Sequence, residues 1–179
     1  MEKKHKVHVF DKEPTIMISQ VDCSILNNID STTAIIVNNN AKLIINNSVD
    51  DNCILRYVDS ISKRFIKSPN KMYFKALERV YDISDGYLSE YMAMVSYQQF
   101  EENFEVFYGF YITENNIKMK NFIFDGIIAH IEFSDEKMKT KLEIIRLCNS
   151  YKLIYKENEL LDDLLILLKG NGIEGHGAD

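Results

Sequence analysis

Half of the aromatic residues of this chain lie in one short stretch, and this clustering constrains the fold more than any other feature of the sequence. Ten of the twenty Tyr and Phe residues fall between Tyr97 and Phe133. Aromatic side chains favour β-strands, where they pack well on a half-buried pleated surface. From Tyr91 onward we read the apolar pattern as alternating, which is the period of a strand. The stretch is therefore predicted to form consecutive strands.

Residues that favour turns divide this stretch. The strand predicted over 104–113 ends at Glu114, Asn115 and Asn116, and a second strand covers 117–124. Asp125 and Gly126 indicate a bend or bulge before a last strand over 127–133. Because the connections are short, consecutive strands are expected to be neighbours. The sequence thus predicts an antiparallel β-meander of three or four strands.

The rest of the chain predicts one hairpin and several helices. A hairpin is expected over 33–37 and 42–46, around the turn-forming Asn38, Asn39 and Asn40. Apolar residues at helical spacing predict helices over about 52–67 and after Pro69, a third that Ser134 caps and Met138, Leu142 and Ile145 anchor, and a last one over about 158–169. The predicted fold class is α+β, an antiparallel meander with an N-terminal hairpin packed against about four helices. Residues 1–169 form a single domain, and 170–179, with four glycines, form a flexible tail.

Several functional classes find no support in the sequence. The three cysteines are widely spaced in apolar contexts and are expected to be reduced, with no Cys/His cluster for zinc. No glycine-rich phosphate loop or nucleophile elbow occurs, so we expect neither a metal nor a cofactor. The N-terminus has no apolar secretory core, and no segment has transmembrane length, so a cytoplasmic protein without membrane contact is expected.

Charge is distributed unevenly along the chain. The net charge is −6. Residues 61–80 carry six Lys or Arg residues against Glu78, whereas residues 82–105 carry six acids and no Lys or Arg. Such asymmetry steers association with a basic partner. The same acids lie beside the aromatic stretch and would repel phosphate, which argues against nucleic-acid binding.

One pair of residues could support acid–base catalysis. In a strand over 127–133, His130 and Glu132 would share one face. The pair lacks a nucleophile, a second base or a phosphate-binding loop, so the preferred interpretation is a half-exposed His beside a solvated Glu. We therefore predict no catalytic residues and no enzyme.

Alternation within 104–113 separates a core face from a candidate binding face. The apolar set comprises Phe104, Val106, Tyr108, Phe110 and Ile112, and the opposite set comprises Glu105, Phe107, Tyr111 and Thr113. The second face carries acid and tyrosine together, and further acids precede it. The predicted partner-binding residues are Glu101, Glu102, Glu105, Tyr111, Asp82 and Asp85.

Two segments carry a family resemblance. The strings TTAIIVNNNAKLIINNSVDDNCILRYVDSISKRFIKS and SEYMAMVSYQQFEENFEVFYGFYITENNIKMKNFIF resemble the layout of immunity proteins of contact-dependent growth inhibition systems, over roughly residues 32–169. The resemblance implies an acidic cytoplasmic protein that binds and neutralises a toxin domain, commonly a nuclease. No functional residue follows from it, because contact residues vary in that group. Two alternatives remain: a viral or phage host-interaction factor without catalytic activity, and a small nucleic-acid-processing enzyme that uses His130 and Glu132.

Overall fold

The structure, a computed structural model, describes residues 31–47, 51–114 and 116–170. Every regular element in these ranges is an α-helix, and they contain no strand, so the predicted α+β fold with its hairpin and meander is wrong. The helices, in chain order, are α1 (Ser31–Asn47), α2 (Asp51–Lys67), α3 (Lys71–Ile83), α4 (Gly86–Glu114), α5 (Ile117–Glu132), α6 (Lys137–Ile154) and α7 (Glu159–Gly170). Residues 171–179 of the predicted tail lie outside the described ranges.

The long helix α4 organises the bundle. Its contact with α5 is the most extensive of any described helix pair, and α2 and α3 also pack against it. Helix α1 covers α3 and α2, while α6 packs against α5 and α7 against α6. No helix in the described ranges is both long and apolar enough to span a bilayer.

The burial pattern of α4 explains why the aromatic stretch is helical. Leu88, Met92, Val95, Phe100, Phe104 and Phe107 are all buried. Their spacing of three to five residues places them on one side of a helix, whereas a strand would bury every second residue. The sequence interpretation gave too much weight to the β propensity of Tyr and Phe, which tertiary packing overrides. Phe107, assigned to the outer face of a strand, is fully buried, and Ile112, assigned to the core, is 55% exposed.

The same reasoning corrects the hairpin. The predicted strands over 33–37 and 42–46 belong to the single helix α1, and the three asparagines lie within it. Ala34, Ala41 and Ile44 are buried. Their separations of seven and three residues return to one helical face. Asparagine tolerates turns but does not require them, so a run of three was insufficient to end the helix.

Gly126 has a packing role in α5, so the predicted bend at Asp125 and Gly126 is also wrong. A Cβ atom at position 126 would lie 2.5 Å from the Cβ of Ser96 and 2.7 Å from the carbonyl oxygen of Ala93. The Ser96 hydroxyl also donates a hydrogen bond to the carbonyl of Phe122, across the same crossing. Glycine therefore allows α4 and α5 to approach closely here.

Several predicted boundaries are confirmed. Helices predicted over 52–67, after Pro69 and over 158–169 correspond to α2, α3 and α7. Asn116 ends the predicted turn and caps α5, since its side chain accepts from the Lys118 amide at 3.1 Å. The helix expected after Ser134 begins at Lys137, and its predicted buried face is wrong, because Met138 and Leu142 are exposed and Ile144 and Cys148 are buried.

A buried polar cluster accompanies a kink in α4. Asn103 has non-helical torsion angles, φ −140° and ψ 22°, in the middle of the helix. Its side chain donates to Gln99 at 2.9 Å, and the Gln99 amide donates to the Ser62 hydroxyl of α2 at 2.7 Å. The Ser62 and Gln99 side chains are fully buried. The cluster thus links the kink to the neighbouring helix.

Replacement of Gln99 by methionine is expected to lower the free energy of unfolding by about 2–3 kcal/mol, because Ser62 and Asn103 would each lose a buried partner. Chemical denaturation measures the change. The neighbouring Gln98 is half-buried, accepts from Ser62 at 3.4 Å and donates to Glu102 at 3.3 Å. Gln98→Met is the comparison variant and is expected to cost less than about 1 kcal/mol, because it leaves the Gln99 bonds to Ser62 and Asn103 in place. Equal effects of the two substitutions would contradict a structural role for the cluster.

Candidate partner-binding surface

One surface of the bundle combines carboxylates with tyrosine rings. We call it the acidic tyrosine face and define it by Tyr97, Glu101 and Glu105 of α4 together with Tyr151 and Tyr155 from α6 and its C-terminal cap. Tyr97 and Glu101 lie one turn apart before the kink at Asn103, and Glu105 lies beyond it. Tyr151 and Tyr155 join the two segments, because both contact the ring of Phe104. Both glutamates are exposed. The face is therefore formed jointly by α4 and α6.

Contacts between α4 and α6 fix the tyrosines in place. The Tyr151 hydroxyl donates to the carbonyl oxygens of Phe100 and Glu101 at 3.0 and 2.9 Å, one turn before the kink. Its ring stacks on Phe104, with centroids 4.6 Å apart and planes 10° apart. Tyr155 contacts the same Phe104 ring edge-on at 5.8 Å. These rings hold α6 against the aromatic part of α4 and give the face a rigid base.

Burial and the glutamates of this face raise the pKa values of the neighbouring tyrosine hydroxyls. Burial, the charge of Glu101 and a hydrogen bond to it raise the pKa of Tyr97 to about 12, and Glu143 contributes further. Partial burial, with the charge of Glu105 and a hydrogen bond to it, also raises the pKa of Tyr155. The neighbouring carboxylates thus favour the protonated form of both phenols.

Within residues 31–47, 51–114 and 116–170, the carboxylates of this face are not paired with a cation. Among the described residues, no Lys or Arg forms an ion pair with Glu101, Glu105 or Glu143. By contrast, Asp162 and Asp163 of α7 pair with Lys152 and Lys120.

The structure brings together only part of the predicted site. Glu101 and Glu105 lie on the face. Glu102 lies on the side of α4 toward α2, where Gln98 donates to it at 3.3 Å. Tyr111 is half-buried beyond Tyr108, with ring centroids 6.1 Å apart.

The two predicted aspartates are separate from the face. Asp82, at the end of α3, is paired with Lys118 at 2.6 Å and Arg79 at 3.6 Å. The Asp85 carbonyl accepts the first amides of α4, from Leu88 and Ser89. Sixteen residues of helix separate Asp85 from Glu101, which corresponds to roughly 24 Å along the axis. The six predicted partner-binding residues therefore do not lie together on one surface.

Sequence reasoning missed the contribution of α6. Tyr151 and Tyr155 are four residues apart, as are Tyr97 and Glu101, and this shared spacing was the available signal. This signal had no use while α4 was interpreted as strands, because residues four apart in a strand share a face but are not neighbours, as they are in a helix.

His130 and Glu132 do not form the proposed acid–base pair. On α5 they are two residues apart and point about 200° from each other. The His130 ring stacks on Tyr97, with centroids 3.6 Å apart and planes 7° apart, whereas Glu132 pairs with Lys137 at 2.8 Å. The shared face that motivated the enzyme alternative is therefore absent.

The cysteines differ from one another. Cys53 of α2 is buried and disulfide-bonded, so the expectation that all three cysteines are reduced is wrong for this residue. Cys148 of α6 is a buried free thiol, and burial raises its pKa to about 12. In the described part of the chain, no group of three His, Cys, Asp or Glu side chains is arranged to hold a metal ion.

Comparison with known proteins gives no relatives: no family model matches the chain, and neither a curated protein nor a solved structure is significantly similar to it.

Two buried tyrosine hydroxyls allow a matched test of the packing between α4 and α6. Tyr151→Phe removes the donor to two carbonyls and is expected to cost about 1 kcal/mol of unfolding free energy. Tyr57 of α2 is fully buried, and its hydroxyl has no hydrogen-bond partner in the described structure. Tyr57→Phe is therefore expected to leave stability unchanged or raise it by up to about 1 kcal/mol.

Urea unfolding of the two variants and the parent chain measures both changes under identical conditions. The substitutions delete the same atom, so differences in ring packing are small. A Tyr57→Phe variant less stable than Tyr151→Phe would contradict the hydrogen-bond assignment of both residues.

Proposed function

We propose that this protein is a non-catalytic binding protein, an immunity protein that neutralises a toxin domain by covering a basic surface with its acidic tyrosine face. The carrying observation is the juxtaposition of Glu101 and Glu105, which lack cationic partners in the described structure, with the rings of Tyr97, Tyr151 and Tyr155. Toxin domains that act on nucleic acid present a basic cleft, which is the complementary surface.

The two kinds of side chain have separate tasks in this proposal. Unpaired carboxylates attract a basic protein over distance and raise the association rate, an effect that salt screens. Tyrosine rings held by fixed contacts then supply contact area at low entropic cost, and Tyr is enriched among residues that dominate binding energy. The hydrogen bonds that hold Tyr151 in place keep this cost low before binding.

The lack of a catalytic pair agrees with a binding role. His130 is engaged with Tyr97 through ring stacking, and Glu132 with Lys137 through an ion pair. Both residues thus have structural partners on opposite sides of α5. Inhibition by a bound protein needs no chemistry from the inhibitor, because occupation of the toxin surface suffices.

The test combines cell protection with binding. The toxin domain encoded beside this chain's gene is expressed under control in a sensitive host, with and without the full chain. We expect growth only with the chain, and a complex between the purified proteins whose association rate falls at least tenfold between low and high salt. A toxin that kills cells containing this chain and does not bind it would refute the proposal.

A further inference from the structure

A cleft lies between α3, α4 and α5, on the other side of Tyr97 from the acidic glutamates. Its volume is about 220 Å³. Phe122 and Ala93 line it together with Tyr81, and Phe133 lines it while remaining 76% exposed. The ring of Phe133 is therefore accessible to a molecule that enters the cleft.

The polar lining of the cleft is acidic. Glu90 of α4 and Asp125 of α5 line it, and no Lys or Arg does so among the described residues. The Tyr81 hydroxyl donates to one oxygen of Asp125 at 2.5 Å, which fixes the carboxylate and leaves its other oxygen available. Neither carboxylate forms an ion pair with a Lys or Arg of the described ranges.

The combination of rings and carboxylates selects a type of ligand. An aliphatic stem can pack on Phe122 and Ala93, while a terminal cation can bind the carboxylates and the faces of aromatic rings. Ligand pockets for whole cofactors or drug-sized molecules usually measure about 300–1,000 Å³. The smaller cleft fits a single long side chain.

The cleft is continuous with the acidic tyrosine face. Ala93 lines the cleft one turn before Tyr97 on α4, and Ala129 lines it next to His130 on α5. The stacked pair of Tyr97 and His130 therefore forms the boundary between the two surfaces. A protein bound to the face would extend over the cleft without a change in the bundle.

We propose that this cleft receives a lysine or arginine side chain of the protein partner and anchors it between Glu90, Asp125 and the surrounding aromatic rings. The identity of the partner rests on the proposed function, whereas the preference of the cleft for a basic side chain does not require the partner. Arginine is favoured over lysine, because its planar guanidinium can bond a carboxylate and stack on a ring at the same time.

The test uses the full chain and a small probe, Nα-acetyl-arginine methylamide, followed by nuclear magnetic resonance. We expect saturable shifts at Tyr81, Ala93 and Ala129, with affinity in the millimolar range. The citrulline analogue, which has the same shape and no charge, is expected to bind the parent chain at least tenfold more weakly. The arginine probe is likewise expected to bind the Asp125→Asn and Glu90→Gln variants at least tenfold more weakly than it binds the parent chain. Asp135→Asn, at an exposed acid before α6, is the control and is expected to bind like the parent chain.

Three results would overturn the assignment: equal binding of the arginine and citrulline probes, shifts confined to residues outside the cleft, or no saturation. If free agmatine binds and the acetylated arginine amide does not, the cleft is a site for a small-molecule amine, and its assignment to a protein side chain is overturned. The outcome is separable from that for the proposed function. If toxin binding persists in Asp125→Asn but is lost on changes at Glu101 and Glu105, the cleft is not an anchor site. The proposed immunity function would still stand in that case.

Discussion

Gly126→Ala is expected to lower the free energy of unfolding by about 2–3 kcal/mol, which is the range for overpacking a close contact. The added methyl group would lie 2.5 Å from the Ser96 Cβ and 2.7 Å from the Ala93 carbonyl oxygen. Side-chain rotation moves the Ser96 hydroxyl but not its Cβ, and the Ala93 oxygen belongs to the backbone, so neither contact is relieved without moving α4. Because this is the most extensive helix contact of the described bundle, a local shift would affect the whole core. Denaturant unfolding measures the loss.

Gly109→Ala is the matched control, since it lies in α4 with no atom within 4 Å of the position of an added Cβ. Alanine has the higher helix propensity, so this change is expected to raise stability by about 0.5–1 kcal/mol. Adding Ser96→Gly to Gly126→Ala should recover part of the loss, because it removes one of the two clashes. Stabilisation by Gly126→Ala would show that the helices do not approach as described.

Reversal of two charges on the acidic tyrosine face, Glu101→Lys with Glu105→Lys, is expected to weaken binding of the toxin domain at least a hundredfold. Like charges placed opposite each other in an interface cost several kcal/mol, and about 1.4 kcal/mol corresponds to a tenfold change in affinity. Both side chains are exposed, so the fold should tolerate the change. Calorimetry with purified proteins gives the affinity, and survival of toxin-producing cells gives the biological effect.

The control reverses two other exposed acids, Asp135→Lys with Glu136→Lys, and alters the net charge by the same amount. These residues precede α6 and lie outside the face. If attraction were a matter of net charge alone, both double variants would bind equally weakly, and the assignment of the face would fail. Melting temperatures of both variants confirm that reduced binding does not come from unfolding.

The sequence predicted α2, α3 and α7 correctly from local signals, but α5 was predicted as strands although its cap residue Asn116 carries the same signal as Asn70. Asn70 caps α3 by accepting from the Met72 amide at 2.8 Å, and Asn116 does the same for α5. Apolar residues spaced by three and four then identified the interior of α2 and α7. These are local features, and local reasoning recovers them.

The central pair of helices could not be recovered in the same way. Helix α4 contacts α2, α3 and α5, and its exposed positions also carry apolar residues, among them Tyr87, Met94 and Ile112. A helix buried on several sides loses the one-sided period that identifies it, so its aromatic residues were mistaken for strand residues. Asp125 and Gly126 resembled a turn, but the glycine serves a tertiary contact with Ser96 that only the folded chain reveals.

The candidate site was recovered in part for a related reason. Glu105 was predicted from the alternation of a strand over 104–113, which is helical in the structure, and Glu101 was added because its acid precedes that strand. Their neighbours Tyr151 and Tyr155 lie about fifty residues further along the chain, and the contact of Tyr151 with the Phe100 carbonyl joins them across that distance. Such a pairing requires the packing of α6 on α4, which no local pattern encodes.

The buried thiol of Cys148 provides a measure of how often α6 separates from the bundle. Its sulfur lies in the interior of α6, and with a pKa of about 12 it reacts slowly even where a reagent could reach it. Modification therefore requires α6 to leave its neighbours, and the labelling rate reports how often this opening occurs. A partner that holds α6 against α4 through Tyr151 would slow labelling of Cys148, so the labelling rate can follow complex formation without an engineered cysteine.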